Sequence, residues 1–356
     1  MNMPPKPILK HLRQGAVIPA HPLALNSRRK LDEKRQRALT RYYIAAGAGG
    51  VAVGVHTTQF GIHDPKIGLL QPVLELAAET LDSYAPKKGA KMIRVAGVVG
   101  PTRQAVREAA TAAELGYHAG LLNLGGLHKL SPSKLIKHVR LVAEAIPIFG
   151  FYLQPAMGGI ALPYSFWREF VEIENVVAIK IAAFNRYQTL DVVRAVAESG
   201  RAGKIALYTG NDDNIVGDLL TGFRFEQDKR ATTVHIVGGL LGHWAFWTRR
   251  AVDYWMECRR ISVQQKLPVP PRMMTLNTQV TDLNAAAFDA ANNFVGAVPG
   301  VLEILRRQGL LKGIWCLNRK ETLSPGQKAE IDRVCTAYPD LNDTSLVKAN
   351  LDEWLR

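Results

Sequence analysis

One lysine of this chain stands where lysines are seldom found. Lys180 lies within Asn175-Val176-Val177-Ala178-Ile179-Lys180-Ile181-Ala182-Ala183-Phe184, an otherwise apolar run. Desolvating an ammonium is expensive, and the cheapest relief is loss of the proton, which lowers the pKa and frees a nucleophilic amine. Such an amine can condense with a carbonyl carbon to form a Schiff base. The plainer alternative is a strand lysine pointing at solvent. The surroundings of Lys180 favour the first reading. Tyr152, in Tyr152-Leu153-Gln154-Pro155-Ala156-Met157-Gly158-Gly159, closes a second apolar run. If the two runs are neighbouring strands, a phenol hydroxyl beside the amine could carry protons during carbinolamine formation and collapse.

Chemistry of this kind needs elements that bring separate strand ends together. Short apolar runs alternate with helical stretches from residue 15 to about 255. Eight strands are expected, near 15–20, 50–55, 92–99, 118–124, 147–153, 176–182, 204–210 and 232–238. Helical periodicity follows in Leu31 to Ala46, Thr102 to Leu115, Leu190 to Ser199 and Asp213 to Thr221. Strands that are apolar on both faces and alternate with helices argue for a parallel sheet. Eight such units fit an α/β architecture of the (β/α)8 TIM-barrel type, which places chemistry at the C-terminal strand ends. Beyond Val252 the alternation stops. Pro268-Val269-Pro270-Pro271 breaks the chain, and Thr281 to Arg307 and Ser324 to Tyr338 read as helices. The expected organisation is a barrel over 1–255 and a helical C-terminal extension over 256–356. In that barrel the candidate substrate-facing residues are His56, Thr57, Thr58 and Gln59 after strand 2 and Gly238 at strand 8, with Lys180 near the end of strand 6.

Composition narrows the classes. The chain has 356 residues, 47% of them hydrophobic and 21% charged, which is ordinary for a globular protein. Its apolar runs are strand-sized, so no membrane span is expected. The first 14 residues have no long apolar core, which argues against a secretory signal. Cys258, Cys316 and Cys335 are odd in number and form no CxxC, as expected of free thiols in a cytoplasmic protein. The net charge of +14 raises nucleic-acid binding. However, the basic residues are dispersed, with tight clusters only at Arg28-Arg29-Lys30, Arg249-Arg250 and Arg259-Arg260, and a solvated helical face explains them better.

Other motifs carry less. Gly47-Ala48-Gly49-Gly50 follows a helix and precedes a strand, the reverse of a dinucleotide fingerprint. It reads as a helix-ending loop. His56, His63 and Asp64 match no metal-ligand spacing, so no metal site is assigned. His235, inside strand 8, reads as a core histidine. No GxSxG or Walker A motif occurs.

The sequence resembles the dihydrodipicolinate synthase/N-acetylneuraminate lyase superfamily of Schiff-base aldolases, from Gly15 to about Arg333. Tyr152-Leu153-Gln154-Pro155 stands where that family has Tyr-Asn-x-Pro, and Val177-Ala178-Ile179-Lys180 is similar to its Gly-Ile-Lys segment. Ala16-Val17-Ile18-Pro19, Gly210-Asn211-Asp212-Asp213 and Val298-Pro299-Gly300-Val301-Leu302 resemble its first strand, its Gly-Asp-Asp and its C-terminal helices. The resemblance implies that Lys180 forms the Schiff base with pyruvate or another 2-keto acid, that Tyr152 relays protons, and that no separate cofactor is used. It also implies a homo-oligomer, dimer or tetramer.

The departures are as informative. Gly54-Val55-His56-Thr57-Thr58-Gln59 replaces the family's Gly-Thr-Thr-Gly-Glu, so Thr57 and Thr58 supply the carboxylate cradle only in a shifted register. Asn123 to His128 lacks the family's tyrosine pair, leaving His56 or Gln59 to assist. Met157 stands where the synthases carry an arginine. Two readings stay open: a lyase, aldolase or dehydratase on a 2-keto acid that is not a true dihydrodipicolinate synthase, and an impaired barrel that binds small molecules or acts as a scaffold.

Overall fold

The structure, a computed structural model, describes residues 3–227, 230–265 and 267–356. Its centre is a ring of parallel strands: β1 (Val17–Pro19), β2 (Gly50–Val53), β3 (Ile93–Val98), β4 (Ala119–Leu122), β5 (Ile148–Leu153), β6 (Val176–Ala182), β7 (Ala206–Thr209) and β9 (Arg230–Leu241). Each of β2 to β7 pairs with the next, and β7 pairs with β9, which pairs with β1. The ring closes where Ala20 bridges Ala52 and the His21 N–H donates to Ala52 O at 2.8 Å. The strands are short and buried on both faces, as parallel barrel strands must be. The outer ring includes α2 (Glu33–Ala46), α7 (Arg186–Glu198) and α9 (Thr248–Arg259). This is the expected (β/α)8 barrel with a helical extension.

Two features depart from the expected organisation. An additional strand, β8 (Gly222–Gln227), folds back antiparallel on the first half of β9. Its alternation of exposed and half-buried residues belongs to a hairpin with one solvated face, not to a barrel strand. Moreover, the single helix expected over Thr281 to Arg307 is two: α10 (Pro271–Ala287) and α11 (Ala297–Arg307). Asp289, Asn293 and Phe294 between them take left-handed backbone angles, which Asp and Asn tolerate better than most residues. Phe294 thereby meets Phe184, just beyond β6, edge to face at 5.6 Å.

The lower, N-terminal end of the barrel is plugged. Helix α1 (Lys6–Gln14) inserts Leu12 into the interior, and the Tyr208 hydroxyl donates to Leu12 O at 2.8 Å. The C-terminal helices share one hydrophobic core with the barrel helices, Trp354 packing 5.5 Å from Tyr42. A buried carboxylate ties them down. Asp343, capping α13 (Thr344–Trp354), accepts from the Tyr42 hydroxyl, the Arg249 backbone N–H and the Gln308 amide at 2.7–2.9 Å.

Candidate active site at the upper end of the barrel

Side chains alternate along a strand, so parity decides which reach the interior. On β6, Ala178, Lys180 and Ala182 face the barrel axis, while Ile179 and Ile181 face the helices. On β5, Phe149, Phe151 and Leu153 face inward. Phe151 is the register partner of Lys180, and the Lys180 Nζ sits 4.5 Å from its ring centre. Lys180 is 8% exposed. Its stem runs along Gly210, just beyond β7. A Cβ on Gly210 would stand 2.5 Å from Lys180 Cε, so only glycine leaves room.

Burial pulls the Lys180 ammonium down to about 8, against the opposing pull of the Asp212 carboxylate. A neutral, nucleophilic fraction of the amine is therefore available closer to neutral pH than for an exposed lysine. Burial pushes the Asp212 carboxyl up to about 7, while Lys180 and the His243 backbone favour its charged form and Asp213 disfavours it. The two groups titrate as a pair around neutrality. The His56 ring, first pushed by burial and then by the charge of Lys180, is lowered to about 4 and is neutral at pH 7.

The expected relay through Tyr152 does not form. Tyr152 pairs in register with Ile181, faces outward against Trp167 at 5.1 Å, and its hydroxyl lies between Leu162 O at 3.3 Å and Leu162 N at 3.2 Å. Parity is the reason, because an inward Phe151 forces Tyr152 outward. Thr57 and Thr58 lie at the upper rim, but their hydroxyl protons are engaged. Thr57 donates to Ala20 O at 2.7 Å, and Thr58 donates to His21 O at 2.6 Å while accepting from Gly54 N and Val55 N. The two hydroxyls thus sew the segment after β2 to the segment after β1. Gln59 takes a left-handed backbone and accepts from the Leu317 N–H at 2.7 Å, joining the C-terminal segment to the rim. Gly238 lies within a strand and not in a rim loop. It stands opposite Tyr208, in the wall where β9 passes β1, and a Cβ there would collide with Ala16 O. His63, considered above with metal ligands, bonds through its ring to Glu108 and to Gly54 O.

Phe151 and the Phe184–Phe294 pair were not singled out, and Gly210 and Asp212 stood only in a noted segment, with no role assigned to either. The alternation of small residues around Lys180 in β6 was the one available signal, since it makes Phe151 the inward neighbour. Buried polar atoms are normally paired. Among the described residues, unpartnered ones occur in several places, and Gln59 Nε2, Gln154 Nε2, Asp212 Oδ1, His243 Nδ1 and Asn284 Oδ1 are those on segments at this end of the barrel. Polar groups left open beside a buried amine suit a ligand site better than a structural core. Next to them a cavity of about 240 Å³ is lined by His56, Gln59, Phe60, Phe294, Val298 and Leu317, with Glu321 also on its wall.

Comparison with known proteins bears on the family and the fold. The chain is 28% identical over 159 residues to 4-hydroxy-tetrahydrodipicolinate synthase of Acaryochloris marina, covering 38% of this chain and 52% of that one. It is 26% identical over 209 residues to N-acetylneuraminate lyase of Citrobacter koseri, covering 58% and 65%. The matches thus span between half and two thirds of these relatives' lengths. Among solved structures, dihydrodipicolinate synthase from Aquifex aeolicus superposes with a TM-score of 0.72 at 18% identity, over 91% of this chain and 98% of that one. N-acetylneuraminate lyase from Fusobacterium nucleatum does so with 0.68 at 16%, over 92% and 99%. At these identities the likeness is one of fold. The profile of the Dihydrodipicolinate synthetase family matches residues 14–240, and the chain belongs to that family.

Proposed function

We propose that this protein is a Schiff-base lyase or aldolase that captures pyruvate or another 2-keto acid on Lys180. The observation that carries the reading is the inward, buried Lys180 amine at the upper end of β6, lowered to about 8 and facing one carboxylate. The amine attacks the keto carbon, water leaves, and the resulting iminium draws electrons from the neighbouring carbon, so a bond there can break or form. The bound substrate is itself the electron sink, and the chemistry requires no further cofactor. The carboxylate of the keto acid is held by the His56 and Thr57 backbone N–H groups of the 3₁₀ turn His56–Thr58, because the Thr58 N–H donates to Val55 O and the Thr57 and Thr58 hydroxyl protons are engaged on Ala20 O and His21 O. Neutral His56 supplies a further hydrogen bond at the rim.

The second substrate enters beside Phe60 and Phe294. No lysine or arginine lines that cavity among the described residues, Glu321 does, and Met157 packs at the interior cluster. This wall suits an aldehyde without a second carboxylate, and we do not assign dihydrodipicolinate synthase activity. Family likeness supports a homo-oligomer, and free Cys258, Cys316 and Cys335 suit a reducing cytoplasm. No helix among the described residues is long and apolar enough to cross a membrane.

Borohydride reduction in the presence of pyruvate tests the reading. A covalent adduct is expected on the peptide containing Lys180 and on no other lysine, and Lys180→Ala should abolish it. An unmodified Lys180 after a panel of 2-keto acids would favour the alternative, a barrel that binds small molecules without turning them over. The outward Tyr152 is the observation that keeps that alternative in view.

A further inference from the structure

Schiff-base formation needs a group that both gives and takes a proton at the attacked carbon. The hydroxyls nearest in sequence or space are not free to do so. Tyr152 faces the helices and is bonded to Leu162. Tyr208 faces inward but donates downward to Leu12 O, away from the upper rim. Thr57 and Thr58 donate to the carbonyls of Ala20 and His21, just beyond β1. What lies beside the lysine stem is the turn after β7. Gly210 touches that stem, and Asp212 follows two residues on. Asp212 is half-buried, yet its Oδ1 atom is sealed from solvent and has no hydrogen-bond partner. The turn is held firmly. The Asn284 amide donates to Asp212 O at 2.8 Å and the Thr281 hydroxyl to Asp213 O at 2.9 Å, both from α10.

We propose that Asp212 is the proton carrier of the Lys180 reaction, in the place where family resemblance puts a tyrosine. This rests on the Schiff-base reading above. The neutral Lys180 amine attacks the keto carbon, the N–C bond forms, and the C=O π pair moves to oxygen. Protonated Asp212 gives its proton to that oxygen, and the resulting carboxylate takes one from the nitrogen, leaving a neutral carbinolamine and Asp212 protonated again. Asp212 then protonates the carbinolamine hydroxyl. Water departs as the nitrogen lone pair closes the C=N bond, leaving an iminium cation beside the Asp212 carboxylate. Charge and atoms balance: a neutral amine, a protonated Asp212 and the keto acid end as an iminium cation, an Asp212 carboxylate and one water. The titratable and charged groups that face Asp212 are Lys180, Asp213 and Tyr254, with the His243 backbone beside it and His56 on the far side of Lys180. Asp213 is in turn biased by Arg186 and Asp218.

The experiment is the rate of borohydride-trappable imine with pyruvate, followed by intact mass across a pH series, in the parent protein and four variants. A purely electrostatic Asp212 raises the lysine pKa, so Asp212→Asn would free more amine and trap at the same rate or faster. A proton carrier predicts the opposite: trapping still at Lys180 but roughly 10²-fold slower, with the pH dependence near neutrality flattened. Asp212→Glu should recover part of the rate, and formate should partly rescue Asp212→Ala. Tyr152→Phe should trap as the parent does. Asp212→Asn trapping at the parent rate with the parent pH profile would overturn the proposal while leaving the Schiff base intact. So would Tyr152→Phe slowing the reaction as much as Asp212→Asn does. Absence of any adduct in the parent protein would remove both readings together.

Discussion

Gly210→Ala adds one methyl group at the point where the Lys180 stem passes β7. The new Cβ would lie 2.5 Å from Lys180 Cε, 2.8 Å from Ala182 Cβ and 3.0 Å from Lys180 Cγ. Carbon atoms pack best at about 3.5–4.0 Å. The lysine must therefore retreat by about 1 Å or the β6–β7 pairing must spread. Gly210 is absent from the residues with left-handed backbone, so the penalty is steric and not conformational. Overpacking of this size typically costs about 1–3 kcal/mol. Part of the cost belongs to Lys180 and part to Ala182, and a double-mutant cycle separates them. Urea unfolding of Gly210→Ala, Lys180→Ala and the pair should give a favourable coupling on the order of 1 kcal/mol, because truncating the lysine removes the clash. Imine trapping by Gly210→Ala should fall by more than about tenfold, since a displacement near 1 Å at the reacting atom is costly. Additive stabilities together with unchanged trapping would show that the stem does not run along Gly210, and the placement of Lys180 would have to be redrawn.

Two further outcomes are expected. Asp343→Ala removes the acceptor of two buried donors, Tyr42 and Gln308, and of the part-buried Arg249 N–H, and should cost on the order of 3 kcal/mol in urea denaturation without changing the Lys180 peptide adduct. A loss under about 0.5 kcal/mol would mean that the C-terminal helices are not anchored there. Condensation of pyruvate with aspartate semialdehyde, followed by absorbance, should be poor. A missing charge-assisted hydrogen bond costs about 1.5–3 kcal/mol, or one to two decades in binding. Efficient turnover would reveal a basic residue acting in the place of Met157.

The barrel was readable because its strands are wholly buried. Runs such as Ile148–Leu153 and Val176–Ala182 are apolar on both faces, and few folds bury short strands that way. Lys180 was readable for the same reason, as the one charge in such a run. Tyr152 was misplaced because β5 itself carries no polar–apolar alternation to mark inside from outside, and the only mark lay in the small residues that alternate with isoleucine in β6. A shift of one residue exchanges Phe151 for Tyr152, and a family pattern aligned by letters does not record it. Thr57 and Thr58 were placed at the right rim, but hydroxyl occupancy depends on carbonyls just beyond β1, some 37 residues away in sequence. Asp212 stood in a segment that had been noticed, Gly210-Asn211-Asp212-Asp213. Its unpartnered oxygen and its facing cation are properties of three strands brought together. The break between α10 and α11 rests on left-handed angles at Asp289, Asn293 and Phe294, which helical periodicity passes over.

The helix α1 gives the molecule a floor. With Leu12 seated among the inner side chains and Tyr208 fastened to it, the barrel is a well closed from below, and the proposed chemistry at Lys180 would load it from the rim. Traffic through such a well is serial. Whatever reaches Lys180 first lies at the bottom, and whatever follows rests on top of it, between the rim of β2 and the arch that carries Phe294. Departure runs in the reverse order, so the deeper guest waits for the shallower one. A covalent bond at the bottom suits that arrangement, because it keeps the first arrival in place while its neighbour comes and goes.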